Sequence, residues 1–438
     1  MPRSLLAAAL LCSALAQAQV ETYFAPITVR SPGTAPVGGT ATLRMALALP
    51  DAGIGVDQST LVAGAGAAGV GFTLGSLLPA TLTSLPGSID AVATAPGVLV
   101  GVSSQTLIAI SSGGTVTFGT LDGTAFHDRT AAAPVVAGTG TIALSAVADG
   151  GAALLVSDGR QITRWDLDIS NGTVQPTLGP SGSDAPSDAA FSLVFDGRTE
   201  VGFSGGSSLG LYVFDSRLDA GPPTIIDTNL LDPTRLSPPV TGLALYGGRT
   251  PLYLLASHQQ GLTIYPLTGI GPPLTADGII VSAGTVLSRA VKVIATDSSG
   301  QITAPLAVAV TNVDAGPPYY GGVIVLADTD NTFANVRWDL LAQHQVDGGL
   351  VVDPTDPRIV GFDGGSAVDG GCPDGGPLGP DGGCGPGGPT GGPVVPTPPG
   401  PGIQINQPSS CASAAGAPGF AALVAVGGLL FSLRRQRR

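Results

Sequence analysis

From Pro251 to Tyr265 the chain reads Pro-Leu-Tyr-Leu-Leu-Ala-Ser-His-Gln-Gln-Gly-Leu-Thr-Ile-Tyr, two short apolar strands around a polar joint. Between Gln19 and Phe362 such units recur. Apolar runs rich in Val, Leu, Ile and Thr alternate with Gly, Asp, Ser and Pro, and helical periodicity is almost absent. Ile89–Ala93, Val98–Val102, Thr106–Ile110 and Thr115–Phe118 form one cluster of short strands, and further clusters begin near Ile142, Ala190, Val240, Ile279 and Gly321. A spacing of about 40–50 residues is that of a propeller array. The expected fold is therefore all-β, a six-bladed β-propeller over residues 81–362. A pair of β-sandwiches would give similar strand counts. Residues 19–80 are less regular; Thr42–Leu49 alternates, with Leu43, Met45, Leu47 and Leu49 on one face. This segment is expected as a strand-rich arm packed on the propeller.

The 66 Gly and 38 Pro among 438 residues would suit a disordered chain, but the strand patterning argues for short strands and tight turns instead. A net charge of −13 excludes nucleic acid as a partner and suits a cation. Glu21 and Glu200 are the only glutamates and Lys292 is the only lysine.

Both ends carry address signals. Arg3 precedes the apolar run Leu5–Leu15, and Ala16-Gln17-Ala18 is a small-x-small cleavage site, so residues 1–18 read as a signal peptide cut after Ala18. A short N-terminal anchor is the alternative. Residues 363–410 are a Gly/Pro-rich stalk that cannot bury a core. Cys372 and Cys384 within it are expected to form a small disulfide loop, with two free thiols as the alternative. Ala412–Leu433 is apolar, and at ~1.5 Å per residue a helix of this length crosses a ~30 Å hydrocarbon core. The closing Arg434-Arg435-Gln436-Arg437-Arg438 would stay in the cytoplasm. Residues 411–438, with Cys411 ahead of the apolar helix, resemble the C-terminal sorting tails of myxobacterial surface proteins. That resemblance implies processing by a sorting protease at the Cys411 region. A plain transmembrane anchor is the alternative, and either reading puts the protein at the cell surface.

Three segments carry a second resemblance. Leu154–Arg160 with Ile162–Asp168 and Asn171–Gln175, then Pro238–Tyr246 with Leu252–Tyr265, then Gly321–Asn331 with Asn335–Ala342, are similar in order to blades of the β-propeller phytases. These are secreted, calcium-dependent hydrolases of inositol phosphates. The resemblance implies Asp328, Asp330 and Asn331 as calcium ligands and Arg160 as a phosphate contact, Arg being suited to bidentate bonds with phosphate. Clustered calcium would polarise the phosphoryl group and supply hydroxide.

The chain departs from the family in its charged residues. Ala132-Ala133-Pro134-Val135 stands where the family has paired carboxylates, Thr241 replaces a glutamate, and Leu211-Tyr212-Val213-Phe214 stands at an acidic run. Two functions follow: a phytase-like phosphatase with a depleted site, or a non-catalytic surface propeller for adhesion or ligand binding. Convergence of carboxylates around Asp328 separates them, since calcium takes about six to eight oxygen ligands.

Gly202-Phe203-Ser204-Gly205-Gly206 matches the nucleophile-elbow spacing but lacks a following helix, and is read as a turn. His127, His258 and His344 are too scattered for zinc. His127-Asp128 is expected as a polar turn and His258 as a satisfied structural histidine. Asp166 and Asp168 are expected on a solvated strand edge.

Overall fold

The computed structural model describes residues 22–32, 44–49, 60–64, 70–80, 82–85, 88–101, 103–122, 125–130, 135–137, 140–182, 192–205, 211–218, 224–227, 240–248, 251–267, 291–313, 318–319, 321–330, 332–343, 350–353 and 355–356. The described residues are built of strands, with one short helix. Strand β1 (Thr22–Arg30) is followed by a four-stranded sheet, β2 (Arg44–Ala48), β3 (Thr60–Gly64), β4 (Val70–Thr73) and β5 (Pro79–Ala80). The next sheet holds β6 (Ala91–Val100), β7 (Ser103–Ser112), β8 (Thr115–Asp122), β9 (Ala125–Asp128) and β10 (Val135–Val136). Two four-stranded meanders come after it. One is β11 (Thr141–Ala146), β12 (Ala152–Ser157), β13 (Ile162–Asp168) and β14 (Gln175–Gly182); the other is β15 (Ser192–Asp196), β16 (Val201–Gly205), β17 (Leu211–Asp215) and β18 (Thr224–Asp227).

The last sheet is a composite. It contains β19 (Val240–Gly247), β20 (Pro251–His258), β21 (Gly261–Pro266), β22 (Val291–Asp297), β23 (Gly300–Ile302), β24 (Ala307–Thr311), β25 (Val323–Ala327) and β26 (Phe333–Arg337). Strand β1 joins its two halves: Thr22–Pro26 pair parallel with Lys292–Thr296 of β22, and Ile27–Arg30 pair antiparallel with Val336–Ala334 of β26. The strand therefore shifts from one meander to the next along its own length. After β26 the chain turns into α1 (Trp338–Gln343).

Burial follows position in each meander. Second strands such as β12 and β25 are continuous apolar runs buried throughout, whereas the outer β14 is mostly exposed. The first strands pack on one another in order, β2 on β6, β6 on β11, β11 on β15, β15 on β19, β19 on β24, and β24 on β2. The core accordingly lies between sheets. One cluster joins Met45, Leu47 and Phe72 to Val325 and Phe333; another joins Phe203 and Val213 to Leu243 and Leu254. The architecture is all-β and propeller-like.

Three expectations are revised. The segment expected as an arm supplies β1 to the composite sheet and a whole sheet from Arg44 to Ala80. Residues 91–93 and 98–100 of the expected strands Ile89–Ala93 and Val98–Val102 lie in one strand, β6, interrupted by a bulge between Ala95 and Val98. There Gly97 takes a φ of 79°, a conformation open to glycine and strained for other residues. The cluster placed near Ile279 begins outside the described residues, and the next strand, β22, extends the meander begun by β19. The stalk and the C-terminal helix also lie outside the described residues, among which no helix is long and apolar enough to cross a membrane.

Within β1, Ala25 is fully buried and Phe24 is 52% exposed. Ala25→Arg would bury an unpaired charge where β1 meets β22, and Phe24→Arg would leave its charge in water. Thermal unfolding followed by circular dichroism should show loss of the cooperative transition for the first variant. The second should change stability by less than about 0.5 kcal/mol.

Candidate functional site

Asp328 closes β25 and Asp330 lies in the turn that leads to β26. Arg30, the last residue of β1, faces this turn. Its Nε donates to Asp297 Oδ2 at 3.0 Å and its Nη1 donates to Asp328 Oδ2 at 3.2 Å. One guanidinium thus joins three elements: β1, the β22–β23 turn and the β25–β26 turn. Burial opposes the Arg30 charge, but the bonds and charges of Asp297 and Asp328 outweigh it and hold its pKa above the usual value. Burial likewise pushes Asp297 up, and Arg30 with the Ser299 and Gly300 amides brings it below the usual carboxylate range.

The remaining oxygens serve local turns. Asp328 Oδ1 accepts the Thr329 N–H at 2.7 Å, and Asp330 Oδ1 accepts the Thr332 hydroxyl at 2.6 Å and its N–H at 2.8 Å. The Thr332 hydroxyl is the main cause of a lowered Asp330 pKa. Asn331 lies outside the described residues. Calcium takes about six to eight oxygens. Here one Asp328 oxygen is held by a guanidinium, and no group of three or more His, Cys, Asp or Glu placed to hold a metal exists among the described residues. The described residues around Asp328 do not fit a calcium cluster.

Arg160 is exposed in the turn between β12 and β13, where its N–H and that of Gln161 donate to Asp158 Oδ1 at 2.7 and 2.8 Å. These amides, Gln161 first, hold Asp158 below the usual carboxylate range. Arg160 and Asp328 belong to different sheets. Ala18, Cys372, Cys384 and Cys411 lie outside the described residues.

His258 ends β20 and is buried. Its Nδ1 accepts the Gln260 N–H at 3.2 Å, which leaves the proton of the neutral ring on Nε2, 2.7 Å from Thr263 Oγ1. An imidazole in that tautomer donates to the hydroxyl and cannot take its proton, so the pair is structural. Burial first, then the Lys292 charge, lowers the His258 pKa to about 4. Ser204 lies inside strand β16, neither on an elbow nor in the expected turn, because the register that pairs it with Leu193 and Tyr212 runs unbroken from Val201 to Gly205. His127 and Asp128 end β9 as exposed residues instead of forming a turn. Asp166 and Asp168 are exposed, Asp166 pairing with Arg164 at 2.7 Å.

The first strands of the sheets enclose a cavity of about 250 Å³ lined by β2, β6, β11, β15, β19 and β24. Its walls are small and apolar, with Ala93, Val194, Leu245 and Val310 among them, and Thr241, Ser145, Asp196 and Asn312 as polar groups. Neighbouring first strands are stitched by hydroxyls. Ser145 Oγ accepts the Gly197 N–H at 2.9 Å, Ser192 Oγ accepts the Leu243 N–H at 2.9 Å, and Thr241 Oγ1 donates to the Pro305 carbonyl at 2.7 Å. Ser145 and Gly197 belong to strand ends; Ser192, Thr241 and Pro305 belong to strand starts. One mouth is therefore made of starts and the other of ends. Asp196, at the end mouth, has its pKa raised by burial despite the Thr199 hydroxyl and the Arg198 and Thr199 amides. Such a group on a cavity rim is a candidate ligand contact. Its place in Leu193-Val194-Phe195-Asp196, an apolar run closed by a carboxylate, is visible in sequence, but the same pattern marks ordinary turns.

No protein-family model matches the chain, and no curated protein matches it. Among solved structures, one similar chain is the N-terminal domain of BBS1 in complex with ARL6, in crystals soaked with lead. It has a TM-score of 0.38 and 12% identity over 65% of this chain and 76% of that one. A mercury-soaked crystal of the same complex gives a TM-score of 0.33 and 13% identity, with the same coverage of 65% and 76%. The extracellular domain of a protein described as a hybrid two component system, BT4673, from B. thetaiotaomicron gives 0.32 and 15% over 64% of this chain. This chain spans 31% of that one.

Two measurements check this geometry. Arg30→Ala strands two half-buried carboxylates and should lower the unfolding free energy by about 1–3 kcal/mol, read by urea denaturation at pH 7. His258 has a folded pKa near 4, below the unfolded 6.5, so the unfolded state takes up more protons between those values. Stability should be level above about pH 6.5 and fall by up to about 3 kcal/mol on the way to pH 4. His258→Gln should flatten that limb.

Proposed function

We propose that this chain is a non-catalytic surface propeller that binds a ligand, built on a phytase-like scaffold whose acidic residues serve to close the ring. In this reading the protein is exported, its six blades begin at β2, β6, β11, β15, β19 and β24, and β1 is the outermost strand of the sixth. The stalk and C-terminal tail hold it at the cell surface. The observation that carries the reading is the Arg30 bridge. The carboxylate that the phytase resemblance assigns to calcium, Asp328, already meets a fixed cation. Arg30 occupies one of its oxygens with no desolvated metal required, and a calcium ion beside the guanidinium would face like charge.

The cavity between the first strands is the best binding site on offer, being concave, largely apolar and rimmed by a few polar groups. Phytase-like phosphatase activity is the competing outcome. The test is calorimetric titration of the full chain with calcium, alongside phosphate release from inositol hexakisphosphate. The expected result is no saturable calcium heat and no release above the uncatalysed rate. Calcium-dependent release abolished by Asp328→Asn would overturn the proposal and establish a working phosphatase.

A further inference from the structure

After α1 the described chain returns as residues 350–353 and 355–356, and these are fastened point by point. The Val351 N–H donates to the Tyr253 hydroxyl at 2.7 Å, and the Val351 carbonyl accepts the Trp338 Nε1–H at 3.0 Å. The Asp353 N–H donates to the Tyr246 hydroxyl at 3.1 Å, and Asp353 Oδ2 accepts the Gly248 N–H at 2.5 Å. Asn312 Nδ2 donates to the carbonyls of Asp353 and Thr355 at 3.3 and 2.5 Å. Tyr246 stacks on Trp338 with ring centres 3.6 Å apart, so the hydroxyl that holds Asp353 is itself held by a rigid aromatic base.

Two of the groups that grip this segment, Gly248 and Asn312, line the cavity, and both follow the ends of first strands, β19 and β24. We propose that residues 350–353 and 355–356 belong to a strap latched over the end mouth of the cavity, and that a solute enters through the start mouth beside Ser192 and Thr241. The fit at Gly248 is close: a Cβ there would overlap the carbonyl oxygen and side chain of Thr355. Glycine is required because the strap lies directly on the backbone. Buried backbone and side-chain polar groups on both partners are satisfied only while the strap is seated, which makes seating cooperative and release costly.

The strap does not depend on what the cavity binds, so its test needs no ligand. In the full chain with its four natural cysteines changed to serine, Val310→Cys places one thiol on the cavity wall near the end mouth. A bulky maleimide should label it slowly. Gly248→Ala or Tyr253→Phe, each of which loosens the strap without touching the cavity wall at residue 310, should speed labelling at least tenfold. Arg30→Ala, which destabilises the fold away from the cavity lining, serves as the control for general destabilisation and should leave the labelling rate nearly unchanged. Equal labelling rates with and without the strap variants would overturn the proposal. So would acceleration by Arg30→Ala as large as that by Gly248→Ala, since general loosening would then explain both. Should Gly248→Ala fail to fold, Tyr253→Phe alone decides, because it removes one hydroxyl and no packing volume.

Discussion

The Arg30 guanidinium, shared between Asp297 and Asp328, is the contact on which the closed arrangement depends. Meanders packed face to face in a circuit meet a difficulty at the seam, where the first and last strands of the chain must find each other across the whole sequence. Here β1 solves it with main-chain bonds to β22 and β26. Ser31 carries the pairing one residue past the strand: its N–H donates to the Phe333 carbonyl and its Oγ accepts the Phe333 N–H. Pairing alone fixes direction poorly in a strand that changes partners midway. Arg30 adds a directional contact, since its guanidinium at the end of β1 meets Asp297 on one side and Asp328 on the other.

A second ionic contact has the same form. Arg164 on β13 reaches Glu200 at 2.6 Å, and the Ser216 hydroxyl donates to the same carboxylate oxygen at 2.8 Å. Glu200 takes a φ of 57°, unusual for a non-glycine residue, and its bonds to a neighbouring sheet hold it there. The chain has few charges, and several of those described serve turns and contacts between sheets. Asp158, Asp168, Asp215 and Asp330 each accept an N–H from two residues ahead. Part of the acidic balance of the chain thus comes from turn formers, in agreement with its many Asp-Gly steps and scarce glutamate. A low isoelectric point suggested a cation partner; the geometry gives much of that charge a structural use.

The strand-and-turn grammar was legible because the strands of each meander are local, and their apolar runs and glycine turns are written in consecutive residues. Leu254–Ser257 and Leu154–Ser157 became second strands, each buried throughout. The sheet boundaries were less legible. Residues 44–80 carry short apolar runs such as Leu61-Val62-Ala63, of which Leu61 and Ala63 are buried in one cluster with Met45 and Phe333, far apart in sequence. The role of Arg30 could not be read at all: its partners lie 267 and 298 residues away. For the same reason Asp328 looked like a ligand, since a carboxylate after an apolar strand has the same local signature whether a metal or an arginine meets it. The strap had no signal beyond Trp338 and two tyrosines, which any core might use.

The most direct measurement is a crystal structure of the full chain grown in millimolar calcium. The expected result is Arg30 seated between Asp297 and Asp328, with β1 paired to both neighbours and no cation within bonding distance of Asp328. A calcium ion bound to Asp328, with the Arg30 side chain turned away, would contradict the claim that this carboxylate exists to close the ring.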